Sequence, residues 1–215
     1  MASALWLRDR AFSTALGGRP LIGVDEVGRG CLAGPVVACA VLAPETLPEA
    51  LVGVNDSKKV LPARRLKLYR ALRAANIPYA LGWATPEEID RINILKATHL
   101  AMRRALENLD SRFSIPDSAV LLVDGNQKVP GLELPQKTVV GGDARSFIIA
   151  AASVAAKVVR DRWMALHDVR HPGYNFAVNK GYGTPDHLEG LARLGPCAAH
   201  RRSFAPVRQP ALQLR

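Results

Sequence analysis

Two stretches near the start of the chain, residues 21–26 and 35–43, are mostly apolar and rich in Val and Ile. A Gly-rich link separates them, so together they predict a β-hairpin. Segment 44–59 carries turn residues without a clear period and reads as a loop. Pro62 then opens a helix through about Ala75, in which Leu66, Leu68 and Leu72 accompany a basic face of Arg64, Arg65, Lys67, Arg70 and Arg73. Residues 77–84 suit a third strand. Thr85-Pro86-Glu87-Glu88 is a capping box with Pro at the first helical position, which predicts a helical region to about Leu109.

Residues 119–124, AVLLVD, form a continuous apolar run of the kind carried by strands buried on both faces, and 137–140 predict a short fifth strand. From Ala144 to about His167 the spacing is helical and small residues abound, which suggests a helix pressed closely on the sheet. Pro172 and Gly173 open a polar loop that lasts to Thr184. Thr184-Pro185-Asp186 then caps a last helix that Gly195 ends. This order of strands and helices means an α/β domain around a mixed sheet. Residues 1–20 carry no signal of a role, 21–168 form the domain, and 169–215 read as a small helical extension with a basic, Pro-broken tail.

Charge narrows the partners. The chain has 29 Lys and Arg against 19 Asp and Glu, a formal net charge of +10, and a pI near 10.0. That surplus favours polyanions, nucleic acid before an anionic membrane surface. Cys31, Cys39 and Cys197 form no CxxC pair and are odd in number, which argues against a disulfide framework or a zinc site and fits a reducing cytosol. Charges come too early in the first residues to leave a signal-peptide apolar region. No uncharged apolar run approaches the roughly 20 residues needed to span a bilayer, so a soluble cytoplasmic protein is expected.

The chemistry gathers at strand ends. Asp25 and Glu26 close the first apolar run, Asp124 closes the run AVLLVD, and Asp143 follows the next short strand after Gly141-Gly142. Neighbouring residues on a strand point to opposite faces, so Asp25 and Glu26 share one site only if the chain turns at Glu26. Acids brought together this way repel: two unit charges ~4 Å apart cost about 4 kcal/mol at an effective dielectric of ~20. Hard divalent cations such as Mg²⁺ or Mn²⁺ remove that cost. A basic protein with an acidic pocket is what metal-dependent phosphodiester chemistry asks for. Taken alone, Asp143 also reads as a helix N-cap.

Gly28-Arg29-Gly30-Cys31-Leu32-Ala33 matches a dinucleotide-binding fingerprint in letters only. Pro35 leads into a strand where that fingerprint needs a helix, and two carboxylates stand where a pyrophosphate would sit. Lys58 and Lys59 lie in a polar loop, either as solvated charge or as phosphate contacts. Tyr174, Phe176 and Tyr182, interleaved with Lys180, read either as core aromatics or as a stacking surface. Lys157, Arg160 and Arg162 read as an exposed helix face or a phosphate rail. His99, His167, His171, His187 and His200 show no ligand spacing.

The motifs DEVGRG (25–30), GPVVACAVL, DSKK (56–59), VDGN (123–126), GGD (141–143), AAASVAAKVVRD (150–161), NKGYGTPDH (179–187) and HRRSF (200–204) together resemble the ribonuclease HII family, from about Leu21 to Phe204. The resemblance implies a ribonuclease H-like fold: a central mixed five-stranded sheet flanked by helices, with a small helical C-terminal extension. It implies endonucleolytic cleavage of the RNA strand of RNA–DNA hybrids and nicking 5′ to single ribonucleotides in duplex DNA, by a monomer. Two divalent ions, Mn²⁺ or Mg²⁺, would be held by Asp25, Glu26, Asp124 and Asp143, and the products would carry 5′-phosphate and 3′-hydroxyl ends. Gly28, Arg29 and Gly30 match the loop that reads the 2′-hydroxyl, and Tyr182 matches a tyrosine that stacks on the adjoining deoxyribose. One departure is Gly141, where much of the family carries Lys.

Overall fold

The computed structural model describes residues 3–54 and 60–208. Helix α1 (Ala4–Ala15) precedes strand β1 (Leu21–Val27), which pairs antiparallel with β2 (Val36–Leu42). Helix α2 (Pro62–Ala74) leads into β3 (Tyr79–Ala84), antiparallel to β2. Helices α3 (Pro86–Ile92) and α4 (Ile94–Phe113) are followed by β4 (Val120–Asp124), parallel to β1, and β5 (Gln136–Val139), parallel to β4. Helices α5 (Phe147–Arg170), α6 (Phe176–Asn179), α7 (Pro185–Leu194) and α8 (Ala205–Arg208) complete the described chain. The sheet order β3-β2-β1-β4-β5 is mixed and five-stranded, and it sets the carboxyl ends of β1 and β4 side by side at one edge.

Alternation along the strands divides the core in two. Leu21, Val37, Cys39 and Val41 face α5 and α2, while Ile22, Val24, Val36, Ala38 and Ala40 face α4. Because both faces are covered, the central strands read as unbroken apolar runs. Small residues decide how near the helices come. A methyl added at Gly23 of β1 would stand 2.7 Å from the backbone of Ile148 in α5, and one at Gly82 of β3 would stand 2.2 Å from the carbonyl oxygen of Ala101 in α4. Either alanine would push a helix off the sheet at a cost of about 1–3 kcal/mol. On α5 itself Ala150, Ala151, Ala152, Ala155 and Ala156 are buried, as the small-residue pattern led one to expect.

Three local differences from the sequence pattern stand out, the first with a clear physical cause. The helical region after Thr85 is two helices broken at Asn93, whose φ of 70° is left-handed and whose carboxamide oxygen accepts the N–H groups of Leu95 (3.0 Å) and Lys96 (3.1 Å). Asn tolerates that backbone and caps well, which periodicity does not register. Helix α1 forms where no element was predicted, and short α6 forms inside the predicted polar loop. Segment 171–208 packs on the chain that follows β1: Ala33 bridges His200, and Ala33, Met164, Tyr174, Phe176 and Ala199 share a small apolar cluster.

Candidate active site

Strand β1 does not turn at Glu26. It continues to Val27 with Glu26 opposite Ala38, and the turn comes at Gly28, where φ is 94°. Asp25 and Glu26 therefore take opposite faces of the sheet edge. Asp25 faces α5 and hydrogen-bonds the Ser153 side chain, while Glu26 lines a small cleft of about 60 Å³ with Thr98, His99 and Met102 of α4. Asp124, at the end of β4, borders the same cleft. Because the strands end here, acids on the two faces still act on one another.

Asp25 is only 5% exposed. Burial first, then the charges of Glu26 and Asp124, push its carboxyl well above the usual carboxylate range. The Glu26 N–H, 2.7 Å from its Oδ1, offsets this only in part. Glu26 is raised too, by burial and by Asp124, against the pull of Arg29, whose Nη1 stands 3.4 Å from Oε1. Asp124 Oδ1 accepts the N–H of Gly142 at 2.7 Å, which ties the end of β4 to the residue before Asp143. Asp143 is buried in a single 3₁₀ turn, Gly142–Ala144, entered through left-handed Gly141, after β5 has already ended at Val139. It is not the N-cap of α5. That cap is Ser146, whose hydroxyl accepts the N–H of Ile149 at 3.3 Å.

Among the described residues, no three His, Cys, Asp or Glu side chains converge as a preformed ligand set. What Asp25, Glu26 and Asp124 share is a partly buried, mutually repelling field of carboxylate oxygens, and Asp143 stands one residue from the Gly142 N–H that Asp124 holds. That donor chemistry fits a hard divalent cation, which removes the repulsion raising Asp25 and Glu26.

The Gly28-Arg29-Gly30 loop and the residues just after it are held from behind by two arginines, Arg201 and Arg160. Arg201 donates Nη2 to the Gly28 carbonyl (2.6 Å), Nη1 to that of Arg29 (2.8 Å) and Nε to that of Gly34 (3.0 Å). Arg160 donates to the carbonyls of Pro35 (2.9 Å), Ala33 (3.1 Å) and Lys180 (2.8 Å), joining this loop to the one that carries Tyr182. Both guanidinium groups are fully buried, so Arg160 is neither an exposed face nor a phosphate rail. Burial lowers Arg201 to about 10, which leaves it charged at neutral pH. Planar forks that satisfy several carbonyls at once suit arginine and not lysine. The signal for Arg160 was positional: it lies four residues after Ala156 and four before Met164, both buried on the inner face of α5.

The remaining candidates separate clearly. Tyr174 and Phe176 are buried, with ring centroids 5.3 Å apart and planes within 10°, so they are core. Tyr182 keeps 42% of its surface exposed, with the Lys157 ammonium 5.9 Å from its ring centroid. Arg29 is exposed beyond its contact with Glu26. A Cβ built on Gly30 would meet nothing within 4 Å. Lys58 and Lys59 lie outside the described residues.

A family model described as ribonuclease HII matches residues 22–207. A ribonuclease HII from Syntrophotalea carbinolica is 51% identical over 193 residues, 90% of this chain and 88% of the relative. Another, from Moorella thermoacetica, is 52% identical over 184 residues, 86% and 85% of the two chains. Among solved structures, the crystal structure of the ribonuclease H2 from Pyrococcus horikoshii OT3 matches with a TM-score of 0.70 at 28% identity, over 89% of this chain and 96% of that one.

Proposed function

The chain belongs to the ribonuclease HII family of endoribonucleases, and on that premise we propose that it nicks duplex DNA on the 5′ side of an embedded ribonucleotide as well as cutting RNA in RNA–DNA hybrids. The observation that carries this reading is an adjacency. The acid pair of buried Asp25 and partly buried Glu26 is one residue, Val27, from a glycine loop whose carbonyls Arg201 holds from the protein side. Cutting site and sugar reader would then be one piece of chain.

Asp25, Glu26, Asp124 and Asp143 are the residues that would hold Mg²⁺ or Mn²⁺, two ions in the active complex. Bound there, such ions supply a water of lowered pKa and stabilise the leaving oxygen, giving 5′-phosphate and 3′-hydroxyl ends. The chain's own residues select the substrate. The open space at Gly30 lets a ribose approach the backbone. The 2′-hydroxyl is the group that separates RNA from DNA, and a site built to bond it penalises its absence strongly. The exposed face of Tyr182 would stack on the next sugar, where a second 2′-hydroxyl is unwelcome. The net charge of +10 supplies the backbone attraction that any nucleic-acid substrate needs. A monomer suffices for this arrangement. Among the described residues no helix is long and apolar enough to cross a membrane.

The test is a duplex with one ribonucleotide beside an all-DNA duplex, each with Mg²⁺, with Mn²⁺ and with EDTA. Nicking 5′ to the ribonucleotide should need a divalent ion, and the all-DNA duplex should stay whole. Equal cutting of both duplexes would sink the assignment.

A further inference from the structure

Asp9 is a buried acid outside the four just discussed, on a helix that the family model does not cover. It is 5% exposed and, with Leu5, is what α1 buries. Its Oδ2 accepts the N–H of Ile148 at 3.1 Å, across 139 residues of sequence, and it also bonds the Ser146 side chain and the Phe147 backbone. The first turn of α5 is thus capped twice: Ser146 takes the N–H of Ile149, and Asp9 takes those before it. Four orphan N–H groups open every helix, and here a remote carboxylate completes the set that the local cap leaves. Burial pushes the Asp9 carboxyl up to about 6, with these hydrogen bonds working the other way, so the anion prevails at neutral pH.

The corner that Asp9 grips leads directly to the candidate acids. Helix α5 begins four residues after Asp143. The N–H groups of Arg145 (2.9 Å) and Ser146 (2.8 Å) both donate to the Gly142 carbonyl, and the Gly142 N–H donates to Asp124. An unbroken hydrogen-bonded path therefore runs from Asp9 through Ser146 and Gly142 to Asp124, with Asp143 inside it.

We propose that Asp9 is a positioning residue that braces the Gly142–Asp143 corner, so that α1 fixes the placement of the acids that hold the metal. This rests on the reading of Asp124 and Asp143 given above. A residue that merely docked α1 would change stability alone, whereas a brace changes how well the acids bind an ion. Groups that orient metal ligands typically change affinity or activity about 10–100-fold when removed.

The full-length protein, Asp9→Asn and Asp9→Ala are titrated with Mn²⁺ by calorimetry without substrate, and kcat and KM are then measured on the ribonucleotide duplex. Asp9→Ala should weaken Mn²⁺ binding and lower kcat by about tenfold each, with KM changed less than about twofold. Asp9→Asn keeps an acceptor oxygen without the charge and should fall between, at about threefold. Wild-type Mn²⁺ affinity and kcat in Asp9→Ala overturn the brace, whatever its melting temperature. Should Asp9→Ala not fold, Asp9→Asn carries the test, and wild-type values there overturn it equally. A wild-type protein that cuts no ribonucleotide-containing duplex would refute the ribonuclease reading instead, and the Mn²⁺ titration would still decide the brace.

Discussion

The imidazoles of His187 and His200 meet Nε2 to Nε2 at 3.0 Å, and the bonds at the two ends fix which nitrogen carries each proton. The Cys197 N–H donates to His200 Nδ1 at 3.0 Å, so the His200 proton sits on Nε2 and points at His187. His187 must accept it there and carry its own proton on Nδ1, which donates to the Tyr182 carbonyl at 2.8 Å. Both rings are neutral in this chain, and a second proton on either sets two donors face to face. The pair ties the Tyr182 backbone to residue 200, next to the Arg201 that holds Gly28 and Arg29.

Acid should break this pair. Burial, then the neighbouring His187, lower His200 from an ordinary 6.5 to about 4. The folded-state value lies below the unfolded one, so the unfolded chain takes the proton first. The contribution is whole above about pH 6.5 and is lost as pH falls toward about 4, to a total of at most about 3 kcal/mol. Asp9 and Asp25, both raised, act in the opposite direction, so the comparison must be with His200→Gln. In urea unfolding, the advantage of wild type over that variant should shrink between pH 6.5 and 4. An advantage that stays constant with pH rejects the neutral pair.

Asp25 should oppose stability to activity. Its folded-state carboxyl lies above the unfolded value, so the ionised form destabilises the metal-free fold at neutral pH, and a neutral isostere relieves that strain. Asp25→Asn keeps the oxygen that accepts the Glu26 N–H. In EDTA the variant should melt above wild type. Mn²⁺ should then raise the wild-type melting temperature, by about 2.7 kcal/mol of stability at 100 times its Kd, and raise the variant's less. Nicking should fall by about three decades, matching several kcal/mol of lost charge stabilisation. A variant that melts lower in EDTA contradicts the account of Asp25.

Gly28 and Gly30 flank one arginine and should behave differently. A Cβ on Gly28 would stand 2.1 Å from Arg160 Nε, at a φ of 94°. Three carbonyls fix that guanidinium, so it cannot yield. Gly28→Ala should cost about 2–4 kcal/mol in denaturant unfolding. Gly30 has open space, and Gly30→Ala should unfold within about 0.5 kcal/mol of wild type. If the loop reads the ribose, Gly30→Ala should nonetheless nick the ribonucleotide duplex more slowly, because the new methyl fills the approach. Equal stability losses at the two positions would show that Arg160 gives way.

What the sequence made legible was local. The runs 21–26 and 119–124 became β1 and β4, and the alanines after Phe147 became the inner face of α5. The break at Asn93 and the cap at Ser146 were hidden because each depends on one side chain bonding backbone N–H groups, not on period. Contacts at long range were hidden more deeply. Arg201 reaches Gly28 across 173 residues and Arg160 reaches Pro35 across 125, each ending on carbonyls, which leave no trace in residue type. Near Arg160, its own charge and the neighbouring Lys157 and Arg162 suggested an exposed surface, although its helical position placed it inside. Asp9 went unread, because α1 carries no clear apolar stripe to mark it as a helix.

Tyr182 is where the substrate reading is most exposed to refutation. Its neighbours Tyr174 and Phe176 are core, yet Tyr182 itself is 42% exposed. An aromatic face left open beside a loop braced by Arg160 fits a stacking role better than a packing one. Tyr182→Phe keeps the face and loses the hydroxyl contact with Cys31, so nicking at a single ribonucleotide should stay within about threefold of wild type. Tyr182→Ala removes about 1–3 kcal/mol of stacking and should slow that nicking about 10–100-fold. Long RNA–DNA hybrid offers no deoxyribose to stack on at the next sugar, so its cleavage should suffer much less. The two rates, measured on the same preparation, separate the roles. Equal losses on both substrates would make Tyr182 a general support for its loop, and the junction preference would need another source.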